Sequence, residues 1–265
     1  MRKLSASQYC DRKRPFQGDV DAMTRAGLQG IGVAKDKLAT VGVDRAVKLL
    51  RDAGLGVASY SAGGWFLRDG DARREAIDET KRMIDTAAKL NAACLVLVTG
   101  PRGQGSWDDA NARFIDGLQQ VLPAAAAARV RLAVEPLTNV RPTITYLHLL
   151  ADTLDVVERV NSPWFGITLD IWYHWSQRDY VKQVKRAAGK TFLVQMSDHY
   201  ADADSMMDRA PLGEGVLPLK AALRPIADAG YDGWWDIEVF SPRFTDTDQR
   251  TLLPRCKSAF ERVWS

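Results

Sequence analysis

The fold is constrained most strongly by an alternation of strand-like and helix-like segments that runs through the whole 265-residue chain. Eight such pairs give a repeat of roughly 30 residues, which is the size of one unit in a (β/α)8 barrel. The predicted strands cover residues 4–7, 28–33, 56–61, 94–98, 131–135, 165–170, 191–196 and 234–240. The sequence therefore predicts the α/β class and a single (β/α)8 TIM barrel.

A doubly wound sheet is the main competing fold, and it would favour a glycine-rich phosphate loop after the first strand. That turn reads Ser7-Gln8-Tyr9-Cys10-Asp11 and contains no glycine. No linker, low-complexity tract or change in composition divides the chain. We therefore predict one domain over residues 1–265.

Charge and cysteine content argue against several classes of protein. The net charge is +3, and Lys and Arg are scattered, with Arg12-Lys13-Arg14 as the densest basic run, so no nucleic-acid-binding stripe is evident. Three cysteines are too few and too spread for a zinc cluster or a disulfide framework. The N-terminus is too polar for a signal peptide, and no stretch approaches the ~20 apolar residues that span a bilayer. We predict a cytoplasmic protein with neither a nucleic-acid nor a membrane partner.

Four successive predicted strands carry a polar side chain at or near their C-terminal ends. Side chains alternate along a strand, so each of these points away from the helix-covered face and towards the barrel interior. The C-terminal ends of barrel strands form the rim where active sites lie. One interior would thus receive three carboxylates and one amide, from Glu135, Asp170, Gln195 and Glu238.

Three carboxylates forced together repel one another, and the pKa of at least one of them should rise. A divalent cation removes this conflict. Oxygen-rich ligation favours Mn²⁺ or Mg²⁺, with Co²⁺ or Zn²⁺ as further possibilities, because zinc prefers nitrogen and sulfur. The alternative is that each acid is separately paired with an arginine or lysine of the barrel. Four such residues in register favour the metal.

The chain resembles the sugar phosphate isomerase/epimerase family, the xylose isomerase-like TIM barrels. The resemblance covers essentially the whole chain, because its markers follow one another on four consecutive units in family order. They are Ala133-Val134-Glu135-Pro136-Leu137, Thr168-Leu169-Asp170, Val194-Gln195-Met196-Ser197-Asp198, Pro211-Leu212-Gly213-Glu214-Gly215 and Gly230-Tyr231-Asp232-Gly233 before Ile237-Glu238. The resemblance implies that Glu135, Asp170, Gln195 and Glu238 bind one divalent metal.

Two positions depart from the family pattern. Many members have His where this chain has Gln195, while some dehydratase-like members have Gln, which leaves metal preference and reaction type open. Members also commonly have His three residues after the Asp, where this chain has Tyr173 followed by His174. Either a one-residue bulge brings His174 inward or Tyr173 replaces it, and we favour His174.

The predicted substrate-binding residues are His174, Arg209, Trp65, Trp172 and His199. Arg209 resembles the family arginine that holds a substrate oxygen, although a surface arginine is a close alternative. Indoles after strand ends could stack on a sugar ring, but for Trp107 and Trp175 we favour loop packing. Asp236 would lie one layer deeper than Glu238 and could orient a ligand.

The function predicted from these residues is a metal-dependent isomerase or epimerase of a keto-sugar or related polyol. The metal would act as a Lewis acid on the substrate carbonyl, and Glu135 and Glu238 would exchange a proton through an enediolate. The alternative is a lyase: an inosose or dehydroshikimate-type dehydratase, or an enzyme of β-elimination from a 3-keto-glycoside. An endonuclease of the same fold needs several histidines for its zinc cluster, whereas this chain has three histidines in total. A non-catalytic sugar-binding barrel is the remaining alternative, and it would show no metal-dependent turnover. The sequence has no interface signature, so it does not fix the oligomeric state, and a homo-oligomer is possible.

Overall fold

Eight parallel strands close into a barrel in the computed structural model, which describes residues 2–138 and 142–265, with residues 246–249 described by their backbone alone. The barrel strands are β1 (Lys3–Ser7), β2 (Gly30–Ala34), β3 (Gly56–Gly64), β4 (Cys94–Val98), β5 (Arg131–Val134), β6 (Phe165–Asp170), β7 (Thr191–Met196) and β10 (Trp234–Ile237). A separate antiparallel pair consists of β8 (Asp198–His199) and β9 (Arg209–Ala210). The barrel order is β1, β10, β7, β6, β5, β4, β3, β2, which confirms the predicted (β/α)8 TIM barrel.

Helices connect successive strands and pack on the outside of the barrel. They are α1 (Phe16–Arg25), α2 (Lys35–Val41), α3 (Val43–Asp52), α4 (Gly70–Lys89), α5 (Trp107–Ala128), α6 (Leu150–Val160), α7 (Ile171–His174), α8 (Tyr180–Arg186), α9 (Leu219–Asp228) and α10 (Asp246–Trp264). The start of α5 is encoded locally by a capping box. The Ser106 hydroxyl accepts the Asp109 N–H, and the Asp109 carboxylate accepts the Ser106 N–H, each at 3.1 Å.

The two faces of the barrel sheet have different compositions. On β4, Leu95 and Leu97 belong to the large core between strands and helices, whereas Cys94 and Val96 pack inside the barrel with Ala133 of β5. This lower interior is apolar. Glu135 lies two residues after Ala133, so its side chain points in the same inward direction. The alternation along each strand therefore builds an apolar floor beneath a polar mouth.

Most differences from the predicted elements concern short segments. The strands β4, β6 and β7 have the predicted bounds, but β3 extends to Gly64 and β10 ends at Ile237, before Glu238. The helices α2 and α7 and the pair β8–β9 were not predicted. In the part of the chain that the structure describes, no helix combines the length and apolarity needed to cross a membrane. The single domain over residues 1–265 stays a prediction.

Candidate active site

Three carboxylates meet at the mouth of the barrel. Oxygens of Glu135, Asp170 and Glu238 all lie within 4.8 Å of one another. Asp170 is the last residue of β6, while Glu135 and Glu238 follow the ends of β5 and β10 by one residue. Their backbone N–H groups continue the ladder, with Glu135 donating to the Leu97 carbonyl at 2.9 Å and Glu238 to the Met196 carbonyl at 2.8 Å. The barrel itself therefore brings the acids together.

Gln195 belongs to the same group. Its Cα pairs in register with Asp170 on one side and Asp236 on the other, and its amide Nε2 donates to Glu238 Oε1 at 2.9 Å. Its amide oxygen is buried and has no hydrogen-bond partner among the described residues. A buried carbonyl oxygen without a donor is costly. This oxygen is therefore available to bind a cation.

Arg209 joins the cluster from the antiparallel pair. Its Nη1 lies 2.8 Å from Asp170 Oδ2 and 3.2 Å from Glu238 Oε2, and the residue is 1% exposed. Asp198 holds the loop behind it, because the Asp198 carboxylate accepts N–H groups of His199, Gly213 and Leu217. The predicted alternative of separate arginine or lysine partners does not describe this arrangement, since one guanidinium serves two acids.

Burial and mutual repulsion raise the pKa values of the cluster. Burial, followed by the Glu238 and Asp170 carboxylates, raises the pKa of Glu135 well above its ordinary value. Burial also raises the pKa of Glu238 to about 7, although Arg209 acts in the opposite direction. The pKa of Asp170 is raised by burial despite Arg209 and the Trp172 N–H. One guanidinium does not offset three enclosed carboxylates.

Asp236 lies one layer below Glu238, as the alternation on β10 requires. It is fully buried, its Oδ1 accepts the Ser5 hydroxyl at 2.5 Å, and burial raises its pKa to about 8. A Cβ at Gly32 would stand 3.0 Å from Asp236 Oδ2, so the absence of a side chain there makes room for this carboxyl. The orienting role suggested for Asp236 stays a prediction.

The donor set fits a divalent cation. It offers three carboxylates whose pKa values are raised chiefly by burial and one buried amide oxygen that lacks a donor among the described residues. All are oxygen ligands, the type that Mn²⁺ and Mg²⁺ prefer. Glu135, Asp170, Gln195 and Glu238 are therefore the residues that could hold the ion. The structure brings the four predicted ligands together, and their ligand role stays a prediction.

Substitutions at Gln195 test that role. Replacing a residue that only hydrogen-bonds to a metal ligand usually lowers metal affinity by about 10–100-fold. Gln195→Leu should therefore weaken Mn²⁺ binding by at least about tenfold. Gln195→His should keep binding and shift preference towards Co²⁺ or Zn²⁺, because it offers a softer nitrogen donor. Calorimetric titration of the stripped proteins measures both effects. Gln183→Leu, which removes another buried amide away from the cluster, serves as the control. Unchanged affinity in Gln195→Leu would remove Gln195 from the ligand set.

Three of the predicted substrate-binding residues form one wall beside the acids. The Trp172 and His199 rings stack with centroids 4.8 Å apart and 12° between their planes. Arg209 Cζ lies 5.2 Å from the Trp172 ring, and Arg209 pairs in register with His199 on β8–β9. Trp172 and His199 are half-buried, so part of this wall reaches solvent.

His174 and Tyr173 lie on α7, which starts directly after Asp170 without a bulge. His174 is fully buried, its Nε2 bonds to the Pro136 carbonyl at 3.0 Å, and its Nδ1 bonds to the Gln177 amide at 2.8 Å. Burial lowers the pKa of His174 to about 4, so the ring is neutral. The Tyr173 ring lies 5.1 Å from Arg209 Cζ. Tyr173 thus packs beside Arg209. Both ring nitrogens of His174 form hydrogen bonds within the protein, and the substrate-binding role of His174 stays a prediction.

The other three indoles that follow predicted strand ends are Trp65, Trp107 and Trp175. Trp65 follows β3, is half-buried and has Arg68 Cζ 4.9 Å from its ring, and its role towards substrate stays a prediction. Trp107 begins α5 and packs on Tyr146 at 5.5 Å. Trp175 packs against the hydrophobic core. The contacts of Trp107 and Trp175 are those of loop packing, the role favoured for them by the sequence.

Three further residues, at the end of β1 and directly after it, contact Glu238 or its backbone, and the sequence did not indicate them. Ser7 Oγ donates to Glu238 Oε1 at 3.4 Å. Cys10 Sγ donates to the Ile237 carbonyl at 3.3 Å and accepts the Val239 N–H at 3.4 Å, so it holds the backbone on both sides of Glu238. Tyr9 lies near enough for Glu238 to help raise its pKa, to about 12, after the larger effect of burial. Their position at or just after the C-terminal end of the first strand, on the same rim as the acids, could have indicated them.

The fold and the acid cluster define a barrel with a cluster of carboxylates at its mouth, and comparison with known proteins identifies its family. The family model for the xylose isomerase-like TIM barrel matches residues 20–256. The chain therefore belongs to this family, which confirms the resemblance stated from its motifs.

Two curated relatives are sugar isomerases or epimerases by name. The chain is 25% identical to the inosose isomerase of Bacillus licheniformis over 203 residues, which cover 75% of this chain and 72% of that protein. It is 31% identical to the L-ribulose-5-phosphate 3-epimerase UlaE of Salmonella paratyphi A over 140 residues. That second alignment spans about half of each protein, 51% of this chain and 45% of the epimerase.

Solved structures match over the full length. Protein SMc04130 from Sinorhizobium meliloti 1021 is 30% identical, with a TM-score of 0.91 and 98% of each chain covered. The IOLI protein, solved with a bound zinc atom, is 19% identical with a TM-score of 0.87, covering 99% of this chain and 98% of its own. The latter likeness shows the fold alone.

Proposed function

We propose that this protein is a divalent-metal-dependent isomerase or epimerase of a keto-sugar or a related polyol. The observation that carries the proposal is the meeting of Glu135, Asp170 and Glu238 within 4.8 Å beside the unpaired amide oxygen of Gln195. The names of the two curated relatives support the reaction class. The IOLI protein, which shares this fold, was solved with a bound zinc atom, and this supports a divalent metal as the cofactor.

Glu135, Asp170, Gln195 and Glu238 would hold the cation. When bound, the cation supplies Lewis-acid polarisation of the substrate carbonyl. Mn²⁺ and Mg²⁺ suit the oxygen donors best, and Co²⁺ or Zn²⁺ remain compatible with the site. The Trp172–His199 wall and Arg209 would bind and orient the sugar.

The two glutamates would move the proton. One of them removes the hydrogen from the carbon next to the carbonyl, and the electron pair passes to the carbonyl oxygen to give an enediolate. The other returns a proton to the opposite face or to the neighbouring carbon. A carboxylate held beside the reacting carbon can act as the base, and its conjugate acid can return the proton.

Turnover of a ketose panel in deuterated water tests this reaction. We expect metal-dependent conversion with deuterium incorporated at the carbon next to the carbonyl, and no conversion after treatment with a chelator. Product without deuterium would contradict the enediolate route. A product that absorbs in the ultraviolet as an enone would replace the isomerase with the lyase alternative, in which the same proton is removed and a β-leaving group departs.

A further inference from the structure

A 3₁₀-helical turn follows β1 on the rim where the acids meet. It spans Gln8–Asp11, and Ser7 caps it by accepting the Tyr9 N–H at 3.2 Å. The Ser7 hydroxyl in turn donates to Glu238 Oε1 at 3.4 Å. We call residues 7–11 the β1 turn. The proposed reaction assigns no role to it.

A buried network holds both ends of the β1 turn. Gln8 is fully buried, its Nε2 donates to Asp19 Oδ2 at 3.0 Å, and its Oε1 accepts the Ala34 N–H at 3.0 Å. Lys37 and Asp19, which are 6% and 1% exposed, form an ion pair at 2.6 Å. Lys37 Nζ also donates to the Asp11 carbonyl at 2.6 Å. The first and last residues of the 3₁₀ helix are therefore bonded to one buried ion pair, which holds the turn against α1 and α2.

Cys10 connects the β1 turn to the backbone on both sides of Glu238. The strands β1 and β10 pair in register up to Ala6 and Ile237. Beyond that point, the buried Cys10 Sγ donates to the Ile237 carbonyl at 3.3 Å and accepts the Val239 N–H at 3.4 Å. The thiol thus continues, on the β1 side, the pairing that the two strands have ended.

Glu238 lies just beyond the end of its strand. It follows the last residue of β10, and its own N–H bonds towards β7, to the Met196 carbonyl at 2.8 Å. Its Oε1 accepts Gln195 Nε2 at 2.9 Å, and its Oε2 lies 3.2 Å from Arg209 Nη1. Hydrogen bonds weaken steeply when their distance or angle leaves a narrow range. A small shift of the Glu238 backbone would therefore weaken its contacts with the rest of the acid cluster.

We infer that the β1 turn positions Glu238, and that Cys10 is the positioning residue that links the fixed turn to the Glu238 backbone. This inference rests on the proposed function, in which Glu238 holds the cation and moves the proton. Cys10 itself would touch neither the substrate nor the cation. It would act as the residues behind metal ligands do, which orient the ligands that touch the ion.

Three variants test this role through metal binding. Cys10→Ala removes both bonds of the sulfur, whereas Cys10→Ser keeps a donor and an acceptor on one atom. We expect Cys10→Ala to weaken Mn²⁺ binding to the chelator-stripped protein by about tenfold, the usual cost of losing a residue that orients a metal ligand. Cys10→Ser should keep the affinity within about threefold of the parent. The matched control Cys256→Ala removes another buried thiol, on α10, and should change the affinity by less than about twofold.

Turnover and amide exchange separate positioning from a general loss of stability. On a converted ketose at saturating Mn²⁺, Cys10→Ala should lower kcat by about tenfold and leave KM nearly unchanged. Cys10→Ser and Cys256→Ala should keep the parent's kcat. In the metal-free proteins, the Val239 N–H should exchange with deuterium faster in Cys10→Ala than in Cys10→Ser or Cys256→Ala, because its acceptor is lost.

Equal Mn²⁺ affinity and kcat in Cys10→Ala and Cys256→Ala would overturn the inference and leave the proposed function standing. So would a Cys10→Ser protein as impaired as Cys10→Ala. If the parent converts no ketose or binds no cation, the proposed function fails, and crystal structures of the metal-free variants decide the inference. Loss of the Gln195–Glu238 hydrogen bond in Cys10→Ala alone supports the positioning role. A bond that is kept in Cys10→Ala, or lost in Cys256→Ala as well, overturns it.

Discussion

Glu135→Gln and Glu238→Gln should each lower kcat on a converted ketose by about 10²–10⁴-fold, the usual contribution of a general acid or base. Glutamine keeps the shape and one oxygen of glutamate but cannot accept the proton. Both side chains are also proposed metal ligands, so the assay requires saturating Mn²⁺, and calorimetry must show that the variants are loaded.

The control for this pair is Glu158→Gln, an exposed glutamate of α6 that pairs with Arg186. We expect its kcat to remain within about twofold of the parent, as for a surface ion pair of small energetic value. A near-normal kcat in either Glu135→Gln or Glu238→Gln would show that proton transfer does not need two glutamates.

Arg209→Met should lower the free energy of unfolding of the metal-free protein by about 3–5 kcal/mol, the cost of removing one partner from a buried ion pair. Arg209 is enclosed and lies against both Asp170 and Glu238, so methionine would leave the acids without a counter-charge. Urea unfolding in the presence of a chelator measures the loss. Excess Mn²⁺ should restore part of it, because the cation binds only the folded cluster.

The matched control is Arg186→Met. Arg186 also pairs with two carboxylates, those of Asp155 and Glu158, but these are 69% and 54% exposed, and we expect a loss below about 1 kcal/mol. Equal losses in the two variants would mean that the acid cluster does not depend on Arg209 for its stability.

The barrel could be predicted because its strands are encoded locally. The segments 94–98, 165–170 and 191–196 are apolar runs bounded by polar turns, and their observed bounds equal the predicted ones. The positions of Glu135, Asp170, Gln195 and Glu238 follow from the same strands, since alternation and parallel register are enough to direct them into one mouth.

What could not be predicted depends on contacts between distant residues. The pair β8–β9 joins His199 to Arg209 across a nine-residue excursion, and nothing local indicates where that loop returns. The one-turn helix α7 has no helical period to read, yet it decides that His174 faces the Pro136 carbonyl and Tyr173 faces Arg209.

Asp170 and Gln195 lie within strands of the barrel, whereas Arg209 lies in β9, outside the barrel, and residues 12–14 lie on the connection after β1. Under the proposed function, the groups that carry out the reaction would therefore lie on the barrel, and part of the substrate-binding surface would lie on the segments outside it. Exchange of residues 12–14 or 200–208 leaves the hydrogen-bond ladder beneath Asp170 and Gln195 untouched. If the proposed function holds, these two connections are the natural positions for a combinatorial library, because the carboxylates on the barrel strands would be kept in every variant.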